Sequence, residues 1–220
     1  TASTVSGSDR DLAITPDGSR VVYVGNNGTQ VFVRALDALE STAIFKGVPR
    51  GVFVSPDGQW VGFVDGVTSL KKVAISGGPA ITLATFDAGY RGATWAPDDT
   101  IIFATAIIGT GLQQVGAAGG GKPTVLTRAD RGRGEADHLW PEMLPSGRAV
   151  LFTITAQAGG LDAAQVAVLD LQTGARKIIV RGGSHAHFVA SEPGSPKRGE
   201  RDGGYLVYAA AGTLRAVAFD

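Results

Sequence analysis

Three arginines and three histidines are the residues whose types and spacing could do chemistry in this chain. Arg10, Arg50 and Arg91 stand six residues before Pro16, Pro56 and Pro97, so a repeating register aims one guanidinium per repeat at one rim. The fourth repeat has Leu139 at that register with His138 beside it, and alignment by strand puts His187 there in the fifth. Arg10, Arg50, Arg91, His138 and His187 thus form a candidate binding ring. A planar guanidinium fork matches a carboxylate or phosphate, so the expected ligand is an anion. In the plainer alternative each arginine ties its own unit to the next through an aspartate or a loop carbonyl. His185 and His187 lie two apart, on one face of a strand. With His138 they supply three imidazoles for a metal site with an open position, a geometry suited to zinc-assisted hydrolysis. No carboxylate motif of known spacing accompanies them, which is also what ordinary loop histidines would show.

The prolines that set this register belong to a repeat. Thr15-Pro16-Asp17-Gly18 runs into Ser19 to Val24, and Ser55-Pro56-Asp57-Gly58 runs into Gln59 to Val64. Weaker copies begin at Ala96-Pro97-Asp98-Asp99 and Leu144-Pro145-Ser146-Gly147. Pro presets φ at the second turn position, Asp bonds nearby backbone, and Gly tolerates positive φ, so each copy is a tight turn followed by a strand. Asp99 stands where Gly18 and Gly58 stand. A non-glycine residue at positive φ costs about 1 kcal/mol, so the third turn is expected to differ.

A period of about 40 residues indicates an array of supersecondary units. Each unit reads as four strands, in the second repeat Gly51 to Ser55, Trp60 to Val64, Ser69 to Ile75 and Ala80 to Thr85. The fold class expected is all-β, a β-propeller of four-stranded antiparallel blades, with four and a half to five blades in a single domain over residues 1–220. The blades fall near 9–46, 47–86, 90–128, 138–181 and 185–220, the last incomplete after a polar loop. Tyr23, Phe63, Phe103, Phe152 and Tyr208 fall in register on the second strands and are expected to pack between neighbouring sheets.

These repeats resemble the WD40-like propeller repeat of the TolB type over nearly the whole chain. Ser55 to Phe63, Leu70-Lys71-Lys72-Val73 with Gly77-Gly78-Pro79, Gly134-Glu135 with His138 and Trp140-Pro141, and Gly147 to Thr153 also resemble the propellers that follow a transmembrane helix in bacterial serine/threonine kinases. No kinase signature is present. The resemblance implies that ligands bind where the first strands line a central channel, and that the protein is periplasmic or otherwise extracytoplasmic. Too few blades for a closed ring imply open ends. A second copy, residues beyond this sequence, or a shifted closure into five blades would cover them.

Lys plus Arg and Asp plus Glu number 20 each, so no global field draws the chain to nucleic acid, and no membrane contact by this segment is expected. There is no cysteine, which removes disulfides, thiolate metal sites and cysteine nucleophiles together. Neither a Gly-x-Ser-x-Gly elbow nor a phosphate-binding loop occurs. The expectation is a non-enzymatic binding or scaffolding propeller without a cofactor, whose partner is a protein or a small anion at the channel mouth, with homo-oligomerisation through the open ends. The alternatives are a metal-dependent propeller lyase or hydrolase, and a structural fragment with no ligand.

Overall fold

The computed structural model describes residues 10–86, 88–108, 110–191 and 203–219. The chain start, including the expected first-blade boundary at residue 9, most of the fifth repeat's polar loop and the terminal Asp220 lie outside the described residues. Packing divides the chain into two units, Thr1–Thr127 and Arg128–Asp220.

The first unit holds three antiparallel sheets. β1 (Leu12–Ile14), β2 (Arg20–Gly25), β3 (Gln30–Ala35) and β4 (Thr42–Lys46) pair in chain order. So do β5 (Pro49–Val54), β6 (Trp60–Asp65), β7 (Ser69–Ala74) and β8 (Ile81–Thr85), and then β9 (Tyr90–Trp95), β10 (Thr100–Thr105), β11 (Leu112–Gly116) and β12 (Thr124–Val125). Strand alternation sends Val22, Val24, Val31 and Val33 to one face of the first sheet, where they bury against Val61, Phe63 and Val73 of the second. Leu70, Phe53 and Leu83 of the second sheet bury with Trp95 and Phe103 of the third. Full burial of one such side chain contributes about 1.5–3 kcal/mol, and this supplies the cohesion between sheets.

The second unit holds the fourth sheet, β13 (Glu135–Met143), β14 (Ala149–Ala156), β15 (Gln165–Asp170) and β16 (Arg176–Arg181). The fifth has three described strands, β17 (Ser184–Ala190), β18 (Gly204–Ala210) and β19 (Thr213–Phe219). Leu144, Leu151 and Val166 pack with Ala186 and Leu206 between them. The expected in-register aromatics are buried at Phe63, Phe103 and Phe152. Tyr23 and Tyr208 are only half-buried, and Tyr23 stacks on Phe32 of its own sheet at 5.4 Å.

The repeated turn fixes the pairing of first and second strands. In its first copy the Thr15 hydroxyl donates to Asp17 Oδ1 at 2.5 Å, Arg20 N–H donates to Thr15 Oγ1 at 3.0 Å and Ser19 N–H donates to Asp17 Oδ1 at 3.0 Å. The second copy repeats this with Ser55 and Asp57: Trp60 N–H donates to Ser55 Oγ at 2.9 Å and Gln59 N–H to Asp57 Oδ1 at 3.0 Å. The third turn does not differ in backbone as expected. Asp99 adopts φ +60° beside φ +70° at Gly18 and +69° at Gly58, and its carboxylate accepts the Trp95 indole N–H at 3.1 Å. That bond offsets the left-handed strain.

The hydrogen bonds from Thr15 and Ser19 hold the Asp17 carboxyl down at about 2. Carbon-detected titration of the side-chain carboxyl should therefore place the Asp17 midpoint near that value, with the Thr15→Val variant returning it toward about 4. An ordinary midpoint in the parent chain would show that the turn is not closed by its side chains in solution.

Candidate functional site

Every first strand from the second sheet onward carries a bulge at one position. The register shifts between Arg50 and Phe53, between Tyr90 and Ala93, between Leu139 and Glu142, and between Ser184 and His187. The left-handed residue inside the bulge is Gly51 (φ +61°), Gly92 (φ +100°), Trp140 (φ +52°) and His185 (φ +52°) in turn. At Gly51 glycine is also required sterically, since a Cβ would lie 2.2 Å from the Tyr90 ring. Gly51 N–H donates to Asp11 Oδ1 at 2.9 Å, and the Tyr90 hydroxyl donates to the Gly51 carbonyl at 3.3 Å.

Arg50 and Arg91 sit immediately before Gly51 and Gly92, at matching places on β5 and β9. Arg50 is half-buried, while Arg91 is exposed and its Nη1 donates back to the Tyr90 carbonyl at 2.8 Å. Arg10 is exposed just ahead of β1. In the second unit the bulge puts Ser184, not His187, in line with Leu139. His187 aligns instead with Glu142, and its Nδ1 pairs with the Glu142 carboxylate. Glu142 Oε1 also accepts Phe188 N–H at 2.9 Å. Trp140 and His185, both held left-handed at about 1 kcal/mol each, stack with ring centroids 3.6 Å apart. Among the described residues no group of three or more metal-ligating side chains comes together. The three histidines separate because His185 stacks on Trp140, His187 pairs with Glu142, and His138 lies buried beside a guanidinium that repels a cation.

That guanidinium belongs to Arg176. Its Nη1 donates to Glu135 Oε2 at 2.8 Å and lies 2.9 Å from His138 Nε2, which is 3.1 Å from the same carboxylate oxygen. Asp130 N–H adds a 2.6 Å bond to that oxygen. His138 is fully buried and packs on Phe152 at 5.0 Å between ring centroids. Burial pushes the His138 imidazole below its usual range and the Arg176 charge adds to this, outweighing Glu135. Burial pushes the Glu135 carboxyl up, but the bonds from Asp130, Arg176 and His138 together hold it below its usual range.

Next to this cluster the fourth sheet carries a cavity of about 520 Å³ lined by Arg133, Glu135, Gln165, Arg176 and Arg181 with Ile154 and Ile178 among its apolar walls. Strand pairing explains the convergence: Ile154 faces Gln165 and Gln165 faces Arg181 across β14, β15 and β16. Nothing in the sequence pointed to Arg176, Arg181 or Gln165. Arg176 follows Glu135 by 41 residues, and only the register of β16 brings them together.

No known family model and no curated protein matches the chain. Solved structures do. TolB from Acinetobacter baumannii superposes with a TM-score of 0.66 at 17% identity, over 96% of this chain and 54% of that one. An oligogalacturonate lyase in complex with manganese gives 0.65 at 14% identity, over 93% of this chain and 63% of the other. A nidogen/laminin complex gives 0.67 at 13% identity, over 94% and 74%. The chain therefore spans less than two thirds of the lyase and of TolB. Together with the five antiparallel sheets among the described residues, these likenesses show the fold, an all-β propeller such as TolB has. The likeness to the kinase propellers rests on sequence motifs alone.

Acid should loosen the second unit by two titrations of the same sign. His138 and Glu135 both have folded pKa values below their unfolded ones, so each contributes stability above the unfolded value that is lost as pH falls through the folded one. The urea midpoint should begin to fall below about pH 6.5 as His138 takes up a proton and fall further below about pH 4.5 as Glu135 does, and a flat profile would contradict the buried cluster. Arg176→Met should cost about 3 kcal/mol by the same measurement, because it strands the Glu135 charge.

Proposed function

We propose that the chain is a binding module, a propeller that holds an anionic ligand or a protein partner for a larger extracytoplasmic protein. The observation that carries this reading is the cavity on the fourth sheet, where three arginines face one glutamate. A small-molecule site typically encloses about 300–1,000 Å³ with apolar walls and a few placed polar groups, and the cavity falls inside that range. The titratable groups beside it are bonded to one another, an arrangement that holds a recognition surface rigid. Among the described residues no helix is long and apolar enough to cross a membrane. Likeness to TolB supports an extracytoplasmic setting, and the kinase-like motifs fit a sensor role.

A second reading, a metal-dependent propeller lyase, draws on the likeness to oligogalacturonate lyase solved with manganese. Elemental analysis with calorimetric anion titration separates the two. Saturable, salt-sensitive anion binding by metal-free protein is expected; stoichiometric metal in the purified chain would overturn the binding-module reading. The arginine ring is tested in the same titration by replacing Arg50 and Arg91 with alanine. Loss of binding would locate the ligand at the first strands, and retained binding is expected if the fourth sheet holds it.

A further inference from the structure

We propose that the cavity on the fourth sheet is a receptor site for a small organic monocarboxylate, gripped by Arg181 and Gln165 with its apolar body laid on Ile178. This rests on the binding-module reading and names its ligand class.

The three arginines of the lining are in different states. Arg133 Nε pairs with Asp130 at 3.3 Å. Arg176 is engaged by Glu135 and His138. Arg181 and Gln165 are paired neighbours on β16 and β15, and among the described residues neither side chain has a hydrogen-bond or ion-pair partner. A guanidinium fork and a side-chain amide, side by side and uncommitted, can donate to both oxygens of one carboxylate.

The charge count sets the valence. Asp130 neutralises Arg133 and Glu135 neutralises Arg176, which leaves about one positive charge at Arg181 to be matched. A dianionic phosphate would exceed it and meet the ionised Glu135 across the cavity. The walls set the rest of the ligand. Ile154 faces Gln165 across one strand pair, and Ile178 faces Ala167 one row along on the same face. Ile154 is buried beneath this row, and Ile178 is the exposed apolar side chain next to the cationic end, suited to an aryl or branched alkyl group. An apolar group beside a single cation selects an amphipathic anion over a fully hydrated one.

Benzoate, benzamide and inorganic phosphate are the probes, at up to about millimolar levels, read by side-chain nitrogen shifts and calorimetry. Benzoate should bind and shift the Arg181 and Gln165 signals, benzamide should not, and phosphate should bind at least tenfold more weakly. Arg181→Ala should weaken benzoate at least tenfold and Arg181→Lys by an intermediate factor, while Arg133→Ala changes it less than twofold. Ile178→Asp, at an exposed position, should abolish it. No benzoate shift, equal binding by the Arg181 variants, or phosphate outcompeting benzoate would each overturn the assignment. Anion binding that survives Arg181→Ala would overturn this site alone, whereas bound metal would overturn the reading beneath it.

Discussion

The register of each first strand against its second is the constraint on which everything else in this protein depends. Side chains alternate along a strand, so a slip by one residue would turn Val22 and Val24 out of the core and Tyr23 in. The Thr-Pro-Asp-Gly and Ser-Pro-Asp-Gly turns prevent that slip by bonding both ends of the hairpin. Hydroxyl and carboxylate accept the N–H groups of the entering second strand, in the same places at Thr15 and Ser55. Asp99 shows how much of this is backbone demand. The left-handed conformation is kept where glycine is replaced, Asp98 still accepts the Thr100 N–H, and Asp99 itself accepts the Trp95 indole N–H.

The bulge on the first strands is the second recurring device. It adds a left-handed residue in the middle of the strand and re-aims the side chains on either side. In the first unit glycine fills the position, and at Gly51 this leaves room for the Tyr90 ring. In the second unit Trp140 and His185 fill it and stack on each other. The same backbone feature thus makes room for a ring at Gly51 and carries a strained aromatic pair at Trp140 and His185.

The charged cluster of the fourth sheet follows different physics. An isolated buried carboxylate is costly, and a buried ion pair is worth having only when the remaining lone pairs and protons are also bonded. At Glu135 the Arg176 guanidinium, His138 Nε2 and the Asp130 N–H gather on one carboxylate oxygen, so the charge is both paired and hydrogen-bonded there. The cluster fixes one wall of the cavity and leaves Arg181, five positions further along β16, outside its bonding.

Much of the architecture was legible in the chain. The turn chemistry and the all-β propeller class follow from local propensity and a repeat read four times, and local rules of that kind act over a few residues; the first strands of the fourth and fifth sheets start earlier than expected, at Glu135 and Ser184. The aromatic register at Phe63, Phe103 and Phe152 was legible for the same reason. The site was only partly so. Counting back from the turn prolines placed Arg50 and Arg91 each just before the left-handed glycine of its first strand, but strand ends misaligned His187, since the bulge inserts residues that no turn motif announces. The partners of Glu135, the row of Ile154, Gln165 and Arg181, and the separation of the three histidines were decided by tertiary structure alone. They depend on which residues face one another across four paired strands, and that register is a property of the folded sheet, set by packing between residues distant in sequence.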